Sequence, residues 1–399
     1  MSVLFEPIQL GNLQIKNRFV CSATYESMAQ ETGEVTEKIV KRYRNLAKGN
    51  VGLIITGYMY VHPLGRAFKY QTGIHRDEMI PGLKKLVQGV HKEGGKVVFE
   101  LAHAGRQTTK SMVGQTPIGP SSIGRDPIHF VKPKRMEEEQ IQEVIQAFRK
   151  AVRRAVETSA DGIQIHAAHG YLVNQFLSPF FNTRDDIWGG SDPNRFRFLR
   201  EIITETKKEL PEKMPLLVKL NTHDYTPKEG ITLTLAKRYA EWLTEIGIDG
   251  LELSCGSATY SFMNMCRGDV PVKELAGGLP WWMRPVGKRI LTGMAGKYDL
   301  QEGYNLEAAR MIKPAMGNVP LLLVGGLRRV SQMEDILKQG YADIISMSRP
   351  FIKEPFLVQK FKEGKTDIAS CVSCNKCLAA TVNNMPVKCY YKGGNRKMG

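Results

Sequence analysis

The 399-residue chain has no window approaching the roughly 18 uncharged apolar residues of a membrane span, so no membrane is expected as a partner. Residues 1–10 lack a basic start followed by an apolar run, so no secretory leader is expected and the compartment implied is the cytoplasm. Zinc-finger, RNP and basic-zipper patterns are also missing. The Lys and Arg residues behind a net charge of +16 are spread along the chain, so nucleic acid is not the expected partner. No Gly-x-Gly-x-x-Gly strand–turn–helix unit is present to hold a dinucleotide. Cysteine is sparse, at seven residues, and unevenly placed: Cys21, Cys255 and Cys266 stand alone, whereas Cys371, Cys374, Cys377 and Cys389 crowd together. An odd total, this crowding and the missing leader speak against a disulfide framework and for ligation of a metal or cluster.

What is present is the composition of a globular protein, 42% hydrophobic and 24% charged, with length for one large barrel or two ordinary domains. Strand-like apolar runs recur over 19–23, 52–56, 97–101, 162–165, 216–220, 250–253, 321–324 and 343–346. Helical stretches separate them. The clearest, 140–156, carries Ile141, Val144, Ile145, Phe148, Val152 and Ala155 at helical spacing, with Lys150, Arg153 and Arg154 expected outward. Eight strands alternating with helices predict a single (β/α)8 TIM barrel, and 4–18, alternating about a Gly-Asn turn, predicts a hairpin closing one end. Two long connections interrupt the pattern, one after the third strand and one over about 257–304 that holds Trp281 and Trp282. Both are expected to roof the site. The first carries Arg106, Lys110, Arg125, Lys132, Lys134 and Arg135 against one acid, Asp126, which suits an anionic substrate or simply a solvated loop.

The most informative stretch is 160–200. A buried strand there runs into His166, His169 and Tyr171, which places two imidazoles and a phenol at one strand mouth, where barrel enzymes keep their chemistry. Singly, such a histidine or tyrosine is more often structural; the cluster of three points to function. After the seventh strand, Gly325 and Gly326 let bare backbone approach an anion, and Ser348 and Arg349 follow the eighth, the usual phosphate position of barrels.

These segments together resemble the old yellow enzyme family of FMN-dependent ene-reductases, within the wider NADH:flavin oxidoreductases. The resemblance rests on Ser22-Ala23-Thr24-Tyr25-Glu26, Leu101-Ala102-His103-Ala104-Gly105-Arg106, the block His166 to Pro179 with Arg184 to Arg195, Val324-Gly325-Gly326 and Ser348-Arg349-Pro350, and runs through about residue 355. It implies a barrel over 1–355 that binds FMN, reduced by NADH or NADPH, and acts on a small-molecule substrate with an activated C=C bond, an enone or an enoyl thioester. It also implies Tyr171 as proton donor, with His166 and His169 holding the oxygen of the activating carbonyl. For the flavin it implies Lys219 at the N1/O2 edge, Gly326, Ser348 and Arg349 at the phosphate, and backbone of Ser22, Ala23, Thr24 and Gly57 against the ring. Glu100 departs from the glutamine many members place there: a glutamine both donates and accepts, whereas a carboxylate only accepts. Tyr25 and Glu26 depart too. The family is often dimeric or larger, which implies a homo-oligomer.

The segment 356–399 is expected to form an extension. Its Cys371-x2-Cys374-x2-Cys377 run, with Asn375 and the later Cys389, resembles the motif of the trimethylamine dehydrogenase and 2,4-dienoyl-CoA reductase branch, where four cysteines hold a 4Fe-4S cluster. Zinc and an empty, reduced relict stay open from spacing alone. A cluster here would pass electrons to a separate electron-transfer protein or subunit, or be structural. The oxidative alternative is a dehydrogenase or demethylase of the trimethylamine dehydrogenase type.

Overall fold

The computed structural model describes residues 2–393, so 394–399 of the expected extension lie outside the described residues. Eight parallel strands close a barrel: β1 (Phe19–Cys21), β2 (Leu53–Ile55), β3 (Val97–Ala102), β4 (Gly162–Ala167), β5 (Leu216–Asn221), β6 (Gly250–Ser254), β7 (Leu321–Val324) and β8 (Ile344–Met347). Neighbours follow chain order, and β8 pairs back onto β1. Each strand falls on a run that the sequence marks. Strands covered on both faces read as near-continuous apolar runs, and β3, β4 and β5 are buried at every position.

Around them pack α1 (Glu37–Lys48), α2 (Ile80–His91), α3 (Glu138–Glu157), α4 (Asp192–Lys207), α5 (Leu233–Glu245), α6 (Leu306–Ile312), α7 (Val330–Lys338) and α8 (Leu357–Lys362). The helix expected over 140–156 is α3, begun earlier by a capping box between Glu137 and Gln140, with its apolar stripe buried. Arg154 corrects the expectation of an outward basic face. It is buried, its Nε donating to Asp77 Oδ1 at 2.6 Å and its Nη1 to the Ile74 carbonyl at 3.3 Å. Helical spacing carries no information about a carboxylate that another segment brings. Beyond residue 355, α8 buries Leu357, Val358 and Phe361, whose ring lies 5.9 Å from that of Phe19. The barrel core therefore continues past that point.

The hairpin forms as expected, Ile8–Leu10 pairing antiparallel with Leu13–Ile15. It floors the barrel: Leu10, Leu13 and Ile15 pack against the inward Val20, Val98, Leu217, Leu322 and Ile344 of five strands. At the opposite end the two long connections meet. Asp126 Oδ2 of the first accepts from Thr259 Oγ1 of the second at 2.9 Å, and Gln107 Nε2 of the first donates to the His169 carbonyl at 2.8 Å. Of the six basic residues in the first, Arg106 is buried near Asp126 and Arg135 pairs with Asp186, which leaves Lys110, Arg125, Lys132 and Lys134 exposed without those carboxylates. Trp281 and Trp282 lie on the outer surface, 79% and 64% exposed.

Replacing Leu10 by Ala removes buried methyl groups from the floor and leaves a cavity, so a loss of about 2–5 kcal/mol is expected in urea unfolding. A loss under about 1 kcal/mol would show that the hairpin does not bear on barrel stability.

Candidate active site

Side chains two apart on a strand share a face, so the barrel interior is built in layers. Above the apolar floor the register sets Lys219 of β5 beside His166 of β4 and Glu252 of β6, and Glu100 of β3 beside Gln164. The middle layer is therefore charged. Lys219 Nζ lies 2.8 Å from Glu100 Oε1 and 3.2 Å from Glu252 Oε2. Glu252 also accepts from Ser346 Oγ at 2.6 Å and from Gln164 Nε2 at 3.0 Å. Burial alone would raise the Glu100 carboxyl, yet Lys219 and then His166 outweigh it and bring it down to about 2. Burial alone would lower the Lys219 ammonium, and the two carboxylates outweigh that and raise it. Both groups stay charged at neutral pH.

One step further up, His166, His169 and Tyr171 come together as the sequence predicts. The His166 ring lies 5.1 Å from that of His169 and 5.1 Å from that of Tyr171. His166 Nδ1 is 3.1 Å from Glu100 Oε1, while its Nε2 is buried and has no partner. His169 Nε2 is 2.7 Å from Ser254 Oγ. Its backbone adopts φ 62°, uncommon for a non-glycine, and is pinned by Asn221 Oδ1 accepting its N–H at 3.1 Å. The following residues are held equally firmly: Asn174 Oδ1 accepts from the Gly170 N–H, and Gln175 Nε2 donates to the Gly170 and Ala104 carbonyls. That locking explains why Asn174 and Gln175 stand where they do. Burial pushes the Tyr171 hydroxyl up, only partly offset by Tyr58, whose hydroxyl is 3.3 Å away. Burial, then His166 and Lys219, hold His169 well below the usual histidine range.

The remaining sequence-predicted residues lie at the strand ends. Ser22 follows β1 with its N–H on the Met347 carbonyl, Ala23 is half-buried, and Thr24 Oγ1 is 2.6 Å from Ser348 Oγ. The Gly57 N–H is committed to Glu26 Oε1 at 3.1 Å and Tyr43 Oη at 2.8 Å, so it is not free for a ligand. Gly325 and Gly326 sit at φ 153° and 71°, and a Cβ on either would come within 3.1 Å of the segment 300–305. The fold requires both glycines even without a phosphate. Arg349 reaches away from the strand, its Nη1 donating to the Arg267 carbonyl at 2.8 Å and Asn375 Oδ1 at 2.7 Å.

Cys371, Cys374, Cys377 and Cys389 line one cavity together with Arg349, Asn375 and Tyr390. All four are free thiols. Burial pushes Cys377 up to about 12 despite Arg349 nearby. Among the described residues no three His, Cys, Asp or Glu side chains are placed to hold one metal ion.

Sequence reasoning missed Tyr58, whose ring stacks on His166 at 5.7 Å, and the partners Glu252, Gln164 and Ser254. Glu252 carried a usable signal: a carboxylate between two leucines in a fully buried strand needs an internal partner.

Residues 3–262 and 298–367 match the NADH:flavin oxidoreductase / NADH oxidase family. The chain is 30% identical over 386 residues to a 4,4'-dithiodibutanoate disulfide reductase of Rhodococcus erythropolis, covering 94% of this chain and 92% of the relative. To an NADPH dehydrogenase of Bacillus subtilis it is 34% identical over 357 residues, covering 89% and 93%. A solved 2-naphthoyl-CoA reductase in complex with 2-naphthoyl-CoA aligns with a TM-score of 0.84 at 27% identity, over 97% of this chain and 56% of that one. The chain thus spans about half the length of that structure's chain. With the interior layers, the strand mouth and these likenesses on one barrel, the chain belongs to the NADH:flavin oxidoreductase / NADH oxidase family and is an FMN-dependent NAD(P)H oxidoreductase.

Proposed function

We propose that the enzyme reduces an activated C=C bond of an enone or enoyl thioester. The observation that carries this is the convergence of His166, His169 and Tyr171 on one strand mouth, with His166 Nε2 buried and unpartnered. The residues present fit FMN: Glu100 Oε2 is a second buried atom without a partner, and Lys219 offers a fixed cation beside it. Ser22, Ala23, Thr24, Glu100 and Lys219 would hold the ring, and Gly325, Gly326 and Ser348 the phosphate; the Gly57 N–H and the Arg349 guanidinium are engaged elsewhere. Bound there, FMN would supply the hydride chemistry between NADH or NADPH and the β-carbon.

The protein's own part is charge and proton. As hydride arrives, negative charge builds on the activating oxygen, which His166 and His169 hold by donors fixed in advance. Tyr171, kept protonated by burial, gives its proton to the α-carbon. Tyr58 is the neighbouring hydroxyl from which Tyr171 can recover one. An acyl-CoA is the favoured substrate class. Its phosphates suit the exposed Lys110, Arg125, Lys132 and Lys134, and the likeness to a 2-naphthoyl-CoA reductase points the same way.

The four thiols would hold a 4Fe-4S cluster. Four ligands ringing a cavity suit a multi-atom cluster, whereas zinc draws its thiolates to about 2.3 Å around a point. Electrons would then pass between this segment and a separate electron-transfer protein or subunit.

With Tyr171→Phe, FMN should stay bound and NAD(P)H should still bleach it, while reoxidation by an enone slows on the order of a hundredfold or more. Unchanged reoxidation would remove Tyr171 from the mechanism. Protein purified without oxygen should carry about four irons for each FMN; zinc or no metal at full FMN occupancy would discard the cluster and keep the reductase.

A further inference from the structure

The assignment of His166 to the substrate oxygen raises a question of charge. Glu100 Oε1 lies 3.1 Å from His166 Nδ1, and a carboxylate only accepts, so the proton on that side belongs to Nδ1. A neutral ring with its proton there would present a bare lone pair at Nε2, which repels a carbonyl oxygen. The ring can donate from Nε2 only when both nitrogens carry protons.

The surroundings supply the countercharge. Glu100 and Glu252 bring two negative charges to the middle layer and Lys219 one positive, which leaves one negative charge unmatched. Five groups face the His166 ring or its partner: Glu100 from β3, Lys219 from β5, His169 and Tyr171 from the turn after β4, and Tyr58 after β2. Burial keeps His169 neutral and both tyrosines protonated, so none of these three supplies the missing positive charge. Glu252 touches Lys219, Gln164 and Ser346.

We propose that Glu100 is a positioning residue that holds His166 as an imidazolium, so that Nε2 presents a charged N–H to the substrate oxygen. A glutamine at 100 has the opposite effect: its amide can donate to Nδ1, which leaves a neutral ring with its proton on Nε2. The change from glutamine to glutamate thus converts a neutral donor into a cationic one, a stronger partner for an oxygen gathering negative charge.

The test is the nitrogen-15 spectrum of histidine-labelled, FMN-loaded enzyme at neutral pH, with the His166 signals identified as those lost in His166→Asn. Two protonated ring nitrogens are expected. One protonated and one bare nitrogen would overturn the proposal. Glu100→Gln should convert the signals to those of a neutral ring and slow enone reoxidation of reduced enzyme about tenfold; signals that stay those of an imidazolium would show that Glu100 is not what holds the charge. If that variant does not fold, Glu100→Ala takes its place with the same spectral expectation. The proposal rests on the reductase reading, but the spectra are recorded without substrate. An imidazolium in an enzyme that reduces no alkene would refute that reading and leave the charge assignment standing.

Discussion

Lys219 lies inside the barrel between Glu100 and Glu252, where an unpaired ion would lose several kcal/mol of hydration. Nothing but good geometry on every side makes such a lysine tolerable. The closed sheet provides it, because the registers from β3 to β6 fix Glu100 beside Gln164 and Lys219 beside Glu252 with no freedom to slip. The apolar floor beneath excludes water and so strengthens each charge–charge contact above it. Packing below and chemistry above are in this sense one arrangement.

The cysteine-bearing segment is fastened to the same strand ends. Arg349 follows β8 directly and reaches the carbonyls of Cys266 and Arg267 and the side chain of Asn375, while Asn375 Nδ2 donates to the Cys266 and Asp269 carbonyls. Asn375 takes a left-handed backbone, φ 54°, in the middle of the thiol cavity. An asparagine there satisfies both the unusual dihedral and three hydrogen-bonding partners, which few residue types could do.

Most of the fold was legible because apolar runs of strand length mark barrel strands whichever face they turn to the core, and the hairpin announced itself by alternation about a turn. His166, His169 and Tyr171 were legible because their spacing sets them at a strand mouth. Arg154 was misread because its carboxylate, Asp77, stands 77 residues earlier in the chain. Tyr58 looked like any aromatic after a buried strand, and only the closure of the barrel brings it onto His166. Gly325 and Gly326 were noticed for a phosphate, whereas the close approach of residues 300–305 already demands them.

The hairpin floor also sets the traffic of the molecule. With Leu10, Leu13 and Ile15 sealing one end, whatever reaches the charged layer arrives through the strand mouth at the other. Any group exchanged with that layer therefore passes His166, His169 and Tyr171, which stand at the mouth.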